Sequence, residues 1–223
     1  MKKFKIGIGF GHGGKFTGAI NHSLDKSILT KNPDDIITPL YEKDLNLYFG
    51  MKLYRYLWDL HCYRLVLIRG YDRHLSRFLW NDLRLRAKRA NDENCDLFIS
   101  IHFNSPKDSD DHITWGTEII TSLGETESDI YAQKILKNMG DLFDWQCFTF
   151  RSKKNRKVIS ENRFKIRGEK DINLSVLRRT KMPAILWEVD FLSNNDRVMW
   201  ALKPEHQMIM FRAIHEGIQE TIK

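Results

Sequence analysis

Polar and apolar positions along the chain fall into two alternating rhythms. Short apolar runs bounded by polar residues have the length of buried strands: Phe4-Lys5-Ile6-Gly7-Ile8, Leu65-Val66-Leu67-Ile68, Leu97-Phe98-Ile99-Ser100-Ile101 and Ala184-Ile185-Leu186-Trp187. They predict strands over 4–9, 64–69, 96–102 and 183–189, with a further one over 115–121. Between them, apolar residues recur every three or four positions, the period of a helix with one buried face. Leu45, Phe49, Leu53, Leu57 and Leu60 mark a helix over 42–60; Leu75, Phe78, Leu79, Leu83 and Ala90 mark one over 75–90. Ile130, Ile135, Leu136, Met139 and Phe143 mark 127–143, and Met208, Phe211, Ile214 and Ile218 mark a last helix from Pro204 to about 221. Strand and helix alternate, which predicts an α/β fold.

Three stretches break the pattern. Residues 15–41 are polar, carry Pro33 and Pro39, and read as a long loop of the kind that is often functional. Residues 103–113 form an acidic loop with Asn104, Asp108, Asp110 and Asp111. Residues 151–170 are strongly basic, but Phe164 is the one aromatic among them, too few rings for base stacking, so a solvated surface loop is expected. The second helix carries Arg77, Arg84, Arg86, Lys88 and Arg89 on its other face.

Length and composition bound the rest. A chain of 223 residues with 42% apolar content fits one domain over 1–223, without repeats or a separate binding module. The net charge of +7 suits an anionic partner (nucleic acid, membrane or wall polymer) or a merely basic surface. Cys62, Cys95 and Cys147 are odd in number and irregularly spaced, so they are expected as buried free thiols rather than a disulfide framework, favouring a reducing compartment. The basic start Met1–Lys5 is not a signal peptide, and no apolar run reaches transmembrane length.

The chemistry lies in four residues far apart in the chain. His12 sits in the turn Gly11-His12-Gly13-Gly14 after the first strand, Glu42 opens the first helix, and His102 and Glu188 end apolar strands. The C-terminal edge of an α/β sheet is where ligands bind, and these groups are placed to converge there. Two imidazoles and a carboxylate make an open zinc site, with a second carboxylate to handle protons. Each residue also has an ordinary explanation. Gly9–Gly14 matches the G-x-G-x-x-G dinucleotide fingerprint, but the polar, proline-containing 15–41 that follows does not open a helix, so that reading fails. Glu42 alone is a helix-start acid favoured by the dipole, and Glu188 alone is the partner of a buried arginine. His22, His61, His74, His112, His206 and His215 read as structural or solvated.

Taken together the motifs resemble the zinc-dependent N-acetylmuramoyl-L-alanine amidases of the Amidase_3 type over nearly the whole chain. The resemblance is carried by Gly11–Gly14, Glu42–Leu47, Arg69 with Asp72, Arg86 with Ala90-Asn91, Asp96–Asn104, Gly116-Thr117-Glu118, Leu177–Thr180 with Pro183-Ala184, and Glu188–Asn194. It implies a twisted, mostly parallel or mixed sheet flanked by helices on both faces. It also implies one Zn2+ on His12, Glu42 and His102, Glu188 as the catalytic carboxylate, and substrate contacts at Asn104 and Arg69. The implied substrate is bacterial peptidoglycan, cut between N-acetylmuramic acid and L-alanine. The basic surface would attract anionic wall polymers. A monomer without nucleic-acid or membrane partners is expected, made in the cytoplasm as a phage endolysin and released at lysis. An exported autolysin, another zinc amidohydrolase or carboxypeptidase, and a non-catalytic binding protein remain alternatives. Gly9 and Phe10 stand where the family has an acidic residue and proline, Asp190 replaces a usual glycine, and the 105–113 loop is unusually acidic.

Overall fold

A computed structural model describes residues 3–30, 38–106, 111–143 and 165–223. In chain order the elements are β1 (Phe4–Phe10), β2 (Ile20–Asp25), α1 (Ser27–Thr30), β3 (Pro39–Tyr41), α2 (Glu42–Asp59), β4 (Tyr63–Leu67), α3 (Leu79–Asp92), β5 (Leu97–Asn104) and β6 (Thr117–Thr121). They continue with α4 (Glu127–Leu142), β7 (Ile166–Asp171), α5 (Ser175–Arg178), β8 (Ala184–Phe191), α6 (Asn195–Ala201) and α7 (Pro204–Ile222). The main sheet has six strands in the order β4-β1-β5-β8-β6-β7. β4, β1, β5 and β8 are mutually parallel, and β6 turns antiparallel to β8 and pairs with β7 in parallel. The expected α/β fold with a mixed sheet is therefore what forms.

Side-chain alternation along each strand divides the core between the two faces. On one, Ile6, Ile8, Ile99, Ile101, Ile185 and Trp187 join Leu45, Phe49 and Leu53 of α2, Ile135 and Met139 of α4, and Phe211 and Ile214 of α7. On the other, Phe98, Ile120, Ala184 and Leu186 meet Ala90 of α3 and Val176 and Leu177 of α5. Because Ile101 faces the larger cluster, His102 faces away from it. Register then places His102 beside Glu188, and Glu188 beside Glu118.

Several expectations are corrected. The 15–41 loop contains the β2–β3 hairpin and α1. No apolar rhythm announces the hairpin, because tertiary hydrogen bonds hold it: the Asn21 amide donates to Leu192 O at 2.7 Å and Asn195 Oδ1 at 2.8 Å. Residues 166–171 of the basic segment form an edge strand, while 151–164 lie outside the described residues. α6 was not expected; the Asn194 side chain caps it by accepting from Arg197 N. α3 begins at Leu79 rather than 75, because the Asp82 carboxylate accepts from the backbone N–H of Leu75 and Ser76 and holds that stretch as a turn. Phe78, Leu79, Ile130 and Met208, expected in the core, are exposed, and Arg86, expected on an outer face, is buried. Cys95 is a buried thiol as expected, Cys62 is exposed, and Cys147 lies outside the described residues.

Candidate metal centre

β1 delivers the chain into Gly11–Gly14, and a run of left-handed residues turns it back. His12 has φ 57°, Gly13 132° and Gly14 54°. A left-handed histidine is uncommon and is sustained only where the surroundings fix it. Here the carbonyl of His12 accepts from Arg86 Nη2 at 2.6 Å, while Arg69 Nη2 donates to Gly11 O at 3.2 Å. Arg86 also donates to Phe10 O and, at 2.7 Å, to Asp82 Oδ2. Asp72 Oδ1 accepts from Gly14 N at 2.7 Å, with Lys43 Nζ at 2.7 Å from its other oxygen. Buried cations thus hold the turn through its carbonyls.

Glu42 meets the turn from the first position of α2. Its Oε2 lies 3.1 Å from His12 Nε2, and its Oε1 lies 3.0 Å from His102 Nδ1. The two imidazoles stand edge to face with centroids 5.3 Å apart. Ala19 N and Asn46 Nδ2 each donate to Glu42, both at 3.1 Å, and so orient the carboxylate. One ligand atom from each of His12, Glu42 and His102 lies within 4.8 Å of the others. Two glycines make room: a Cβ on Gly11 would run into the His102 ring, and one on Gly18, at φ +70°, into Glu42. The set is that of an open zinc site, with first-contact groups held by a second layer.

The electrostatics divide the two glutamates. Burial pushes the Glu42 carboxyl up, but hydrogen bonds from His102 and His12 outweigh it and hold the group far below the ordinary range. Burial also lowers His102, against the opposing pull of Glu42, and favours the neutral imidazole that can donate a lone pair. Glu188 goes the other way. Burial raises it well above the ordinary value, Glu42 and Glu118 add to this, and Lys170 opposes them. Its Oε2 is closed from solvent and has no hydrogen-bond partner among the described residues. A buried carboxylate oxygen left unpaired beside three convergent donor groups fits a site completed by a cation and a polar reactant.

The four expected residues thus gather at the C-terminal edge of the parallel strands. Asn104, expected to touch substrate, ends β5; its amide donates to Glu118 Oε1 at 2.7 Å, and its oxygen accepts from Ser105 N at 2.8 Å. Arg69, expected in the same role, is fully buried. Its donors go to Phe10 O, Gly11 O and Tyr71 O, so it lies behind the turn rather than in front of it. Glu118 was missed as part of the site. It is buried beside Glu188 and neutralised by Arg167 Nε at 3.0 Å and by Lys170. In the sequence it shows as an acid inside an apolar strand and within the Gly116-Thr117-Glu118 motif, neither of which gives it a role. Asp82 was likewise hidden, although its spacing of four from Arg86 was readable. Asp190 accepts from Gly116 N at 2.8 Å and Arg197 Nε at 2.9 Å, so the glycine replacement ties α6 to the sheet. A second acidic group, Asp129, Glu169 and Asp171, lies on α4 and β7 and has no imidazole.

Comparison with known proteins agrees with this geometry. A family model described as N-acetylmuramoyl-L-alanine amidase matches residues 6–220. The endolysin of Bacillus phage SPP1 is 28% identical over 219 residues, covering 95% of this chain and 64% of that protein. The amidase CwlM of Bacillus licheniformis is 30% identical over 194 residues, covering 86% of this chain and 58% of its own. The chain therefore spans about three-fifths of the length of these curated relatives. Among solved structures, the catalytic domain of the amidase CwlV from Bacillus (Paenibacillus) polymyxa var. colistinus superposes with TM-score 0.70 at 26% identity, covering 98% of each chain. An amidase from Clostridium difficile 630 does so with TM-score 0.73 at 25% identity, covering 100% of this chain and 98% of that one.

Proposed function

Because this chain belongs to the N-acetylmuramoyl-L-alanine amidase family, we propose that it hydrolyses the amide between N-acetylmuramic acid and L-alanine in bacterial peptidoglycan. The proposal assigns one zinc ion to His12, Glu42 and His102, and proton transfer to Glu188. The observation that carries it is the meeting of these three donor groups within 4.8 Å beside an unpartnered, buried Glu188 oxygen.

When bound, such an ion lowers the pKa of its water from ~16 toward ~7 and polarises the scissile carbonyl. The chain supplies the rest. Glu42, ionised, and His102, neutral, offer lone pairs without first losing a proton. Ala19 N and Asn46 fix the carboxylate, and Arg86 fixes the His12 backbone, so the donors are oriented before anything binds. Glu188 takes the proton of the attacking water and passes it to the departing alanine nitrogen, a role worth ~100- to 10,000-fold in rate. Asn104 keeps its expected place as a substrate contact through its second amide hydrogen. Arg69 instead shapes the turn.

The same proposal takes residues 1–223 as one catalytic unit acting as a monomer, with the charge of +7 attracting it to anionic wall polymers. Release onto the wall in host-cell lysis is supported by the phage endolysin among the relatives; the alternative, an exported bacterial autolysin, is supported by the bacterial amidase CwlM. No helix among the described residues is long and apolar enough to cross a membrane.

The test is a comparison of Glu188→Gln with His102→Ala. Glu188→Gln should hold one zinc per chain by metal analysis and lose turnover by ~100-fold or more, while His102→Ala should lose both. A Glu188→Gln protein with wild-type turnover would remove the assigned role.

A further inference from the structure

The loop that joins β4 to α3, together with the first turn of α3, presents large apolar side chains to solvent. Tyr71 is 74% exposed, Phe78 60%, Trp80 67% and Leu79 46%, and Arg73 and Arg77 between them are exposed as well. Isolated exposed apolar residues are ordinary, but three aromatic rings within ten residues are not.

The loop is also rigidly mounted, and its mounting is the metal turn. Arg69 Nη1 donates to Tyr71 O at 2.5 Å, and Asp72 accepts from Gly14 N at 2.7 Å. The His74 and Phe16 rings pack edge to face at 5.5 Å, and a Cβ on Gly14 would strike His74. At the far end Asp82 holds Leu75 N and Ser76 N, and Ser76 Oγ accepts from Asn81 at 2.8 Å. Asp82 is in turn held by Arg86, which also holds the His12 carbonyl. The backbone that carries the exposed rings is therefore tied to the metal turn.

We propose that Tyr71, Phe78 and Trp80 form a saccharide platform that grips the glycan strand of the wall polymer next to the bond being cut. The identity of the polymer rests on the amidase reading; the platform rests on the loop. Ring faces carry negative charge and pack against the weakly positive C–H faces of sugar rings, which aliphatic side chains do less well. Arg73 and Arg77 suit the carboxylates that hang from such a strand. A lipid surface also takes aromatic and basic residues, but Asp72 accepts from Gly14 N and a Cβ on Gly13 would strike the Arg73 carbonyl, so the loop borders the metal turn itself and suits a polymer led to that turn.

The experiment is calorimetric titration of peptide-free glycan strands into the full chain, wild type against a Phe78→Ala/Trp80→Ala double variant. Binding is read without turnover, so it reports on the platform alone. Mass spectrometry of a cleaved muramyl peptide reports separately on the amidase reading. Wild type should bind, and the double variant should bind about tenfold or more weakly, with an unchanged circular dichroism spectrum because both rings are exposed. Equal affinity in the two proteins would overturn the proposal. So would absent glycan binding in the wild type, whether it binds phosphatidylcholine–phosphatidylglycerol vesicles through the same rings or sediments as a dimer that the variant abolishes.

Discussion

Replacing Arg86 with alanine tests how the fold holds the metal turn. Arg86 is buried on α3 and makes three bonds at once: to Asp82, to Phe10 O and to His12 O. Asp82 has no exposed surface, so the variant leaves a buried carboxylate whose remaining partners are the N–H groups of Leu75 and Ser76. Removing one member of a buried ion pair costs about 3–5 kcal/mol. The Phe10 carbonyl keeps Arg69 Nε at 3.1 Å. The His12 carbonyl loses its bond to Arg86, at about 1–3 kcal/mol if it stays dry. These terms overlap, so the expected total is about 3–5 kcal/mol, or a fall in Tm of roughly 6–20 °C for a chain of this size. Urea unfolding of the metal-free protein isolates this effect from metal binding. Zinc affinity, measured separately by competition with a chelating dye, should fall about 10- to 100-fold because His12 loses the bond that fixes its left-handed backbone. An Asp82→Leu/Arg86→Met double variant should be far less destabilised than the sum of its single changes, since the uncompensated charge is gone. A loss below about 1 kcal/mol for Arg86→Ala, or simple additivity in the cycle, refutes the claim that this pair supports the turn.

Other outcomes follow from the same geometry. Gly11→Ala places a methyl group against the His102 ring and should weaken zinc binding about 10- to 100-fold in equilibrium dialysis while leaving the far-ultraviolet dichroism unchanged. The raised Glu188 carboxyl binds its proton more tightly in the folded than in the unfolded chain. Its contribution is therefore fully present below the ordinary carboxylate value of about 4.3 and is lost as pH climbs through the raised folded value. In metal-free protein, Glu188→Gln should accordingly gain stability over wild type in urea titrations as pH climbs above the ordinary carboxylate value; a difference that stays flat with pH would contradict the unpaired environment of its Oε2. Saturating zinc should raise the Tm of the wild type and not that of His12→Ala, a contrast that scanning calorimetry resolves.

The sequence made the central strands legible because buried parallel strands are apolar on both faces, as in Leu97–Ile101 and Ala184–Trp187. His102 and Glu188 stood out for the same reason, since a polar group at the end of an apolar run is costly without a partner, whereas His12 was marked by its glycine turn and Glu42 by its place at a helix start. The β2–β3 hairpin was not legible, because Asn21 anchors it to Leu192 O and Asn195, which are remote in sequence. α6 is short and its apolar residues, Val198 to Ala201, are consecutive, and the edge strand β7 has Ile166 alone, so neither establishes a period. The buried supports were hardest to read. Arg86 and Arg69 look like surface cations in a chain with 36 Lys and Arg, and only three-dimensional packing shows them turned inward onto backbone carbonyls. Phe78 and Leu79 misled in the opposite direction: they fit a helical period, but the Asp82 turn delays the helix and leaves both rim positions exposed.

The most direct measurement is mass spectrometry of purified peptidoglycan digested by this protein, with and without a chelator. New L-alanine amino ends beside intact muramic acid, lost on chelation and restored by zinc, are the predicted result. New reducing sugar ends, cleavage within the peptide, or products that persist with the metal removed would contradict it.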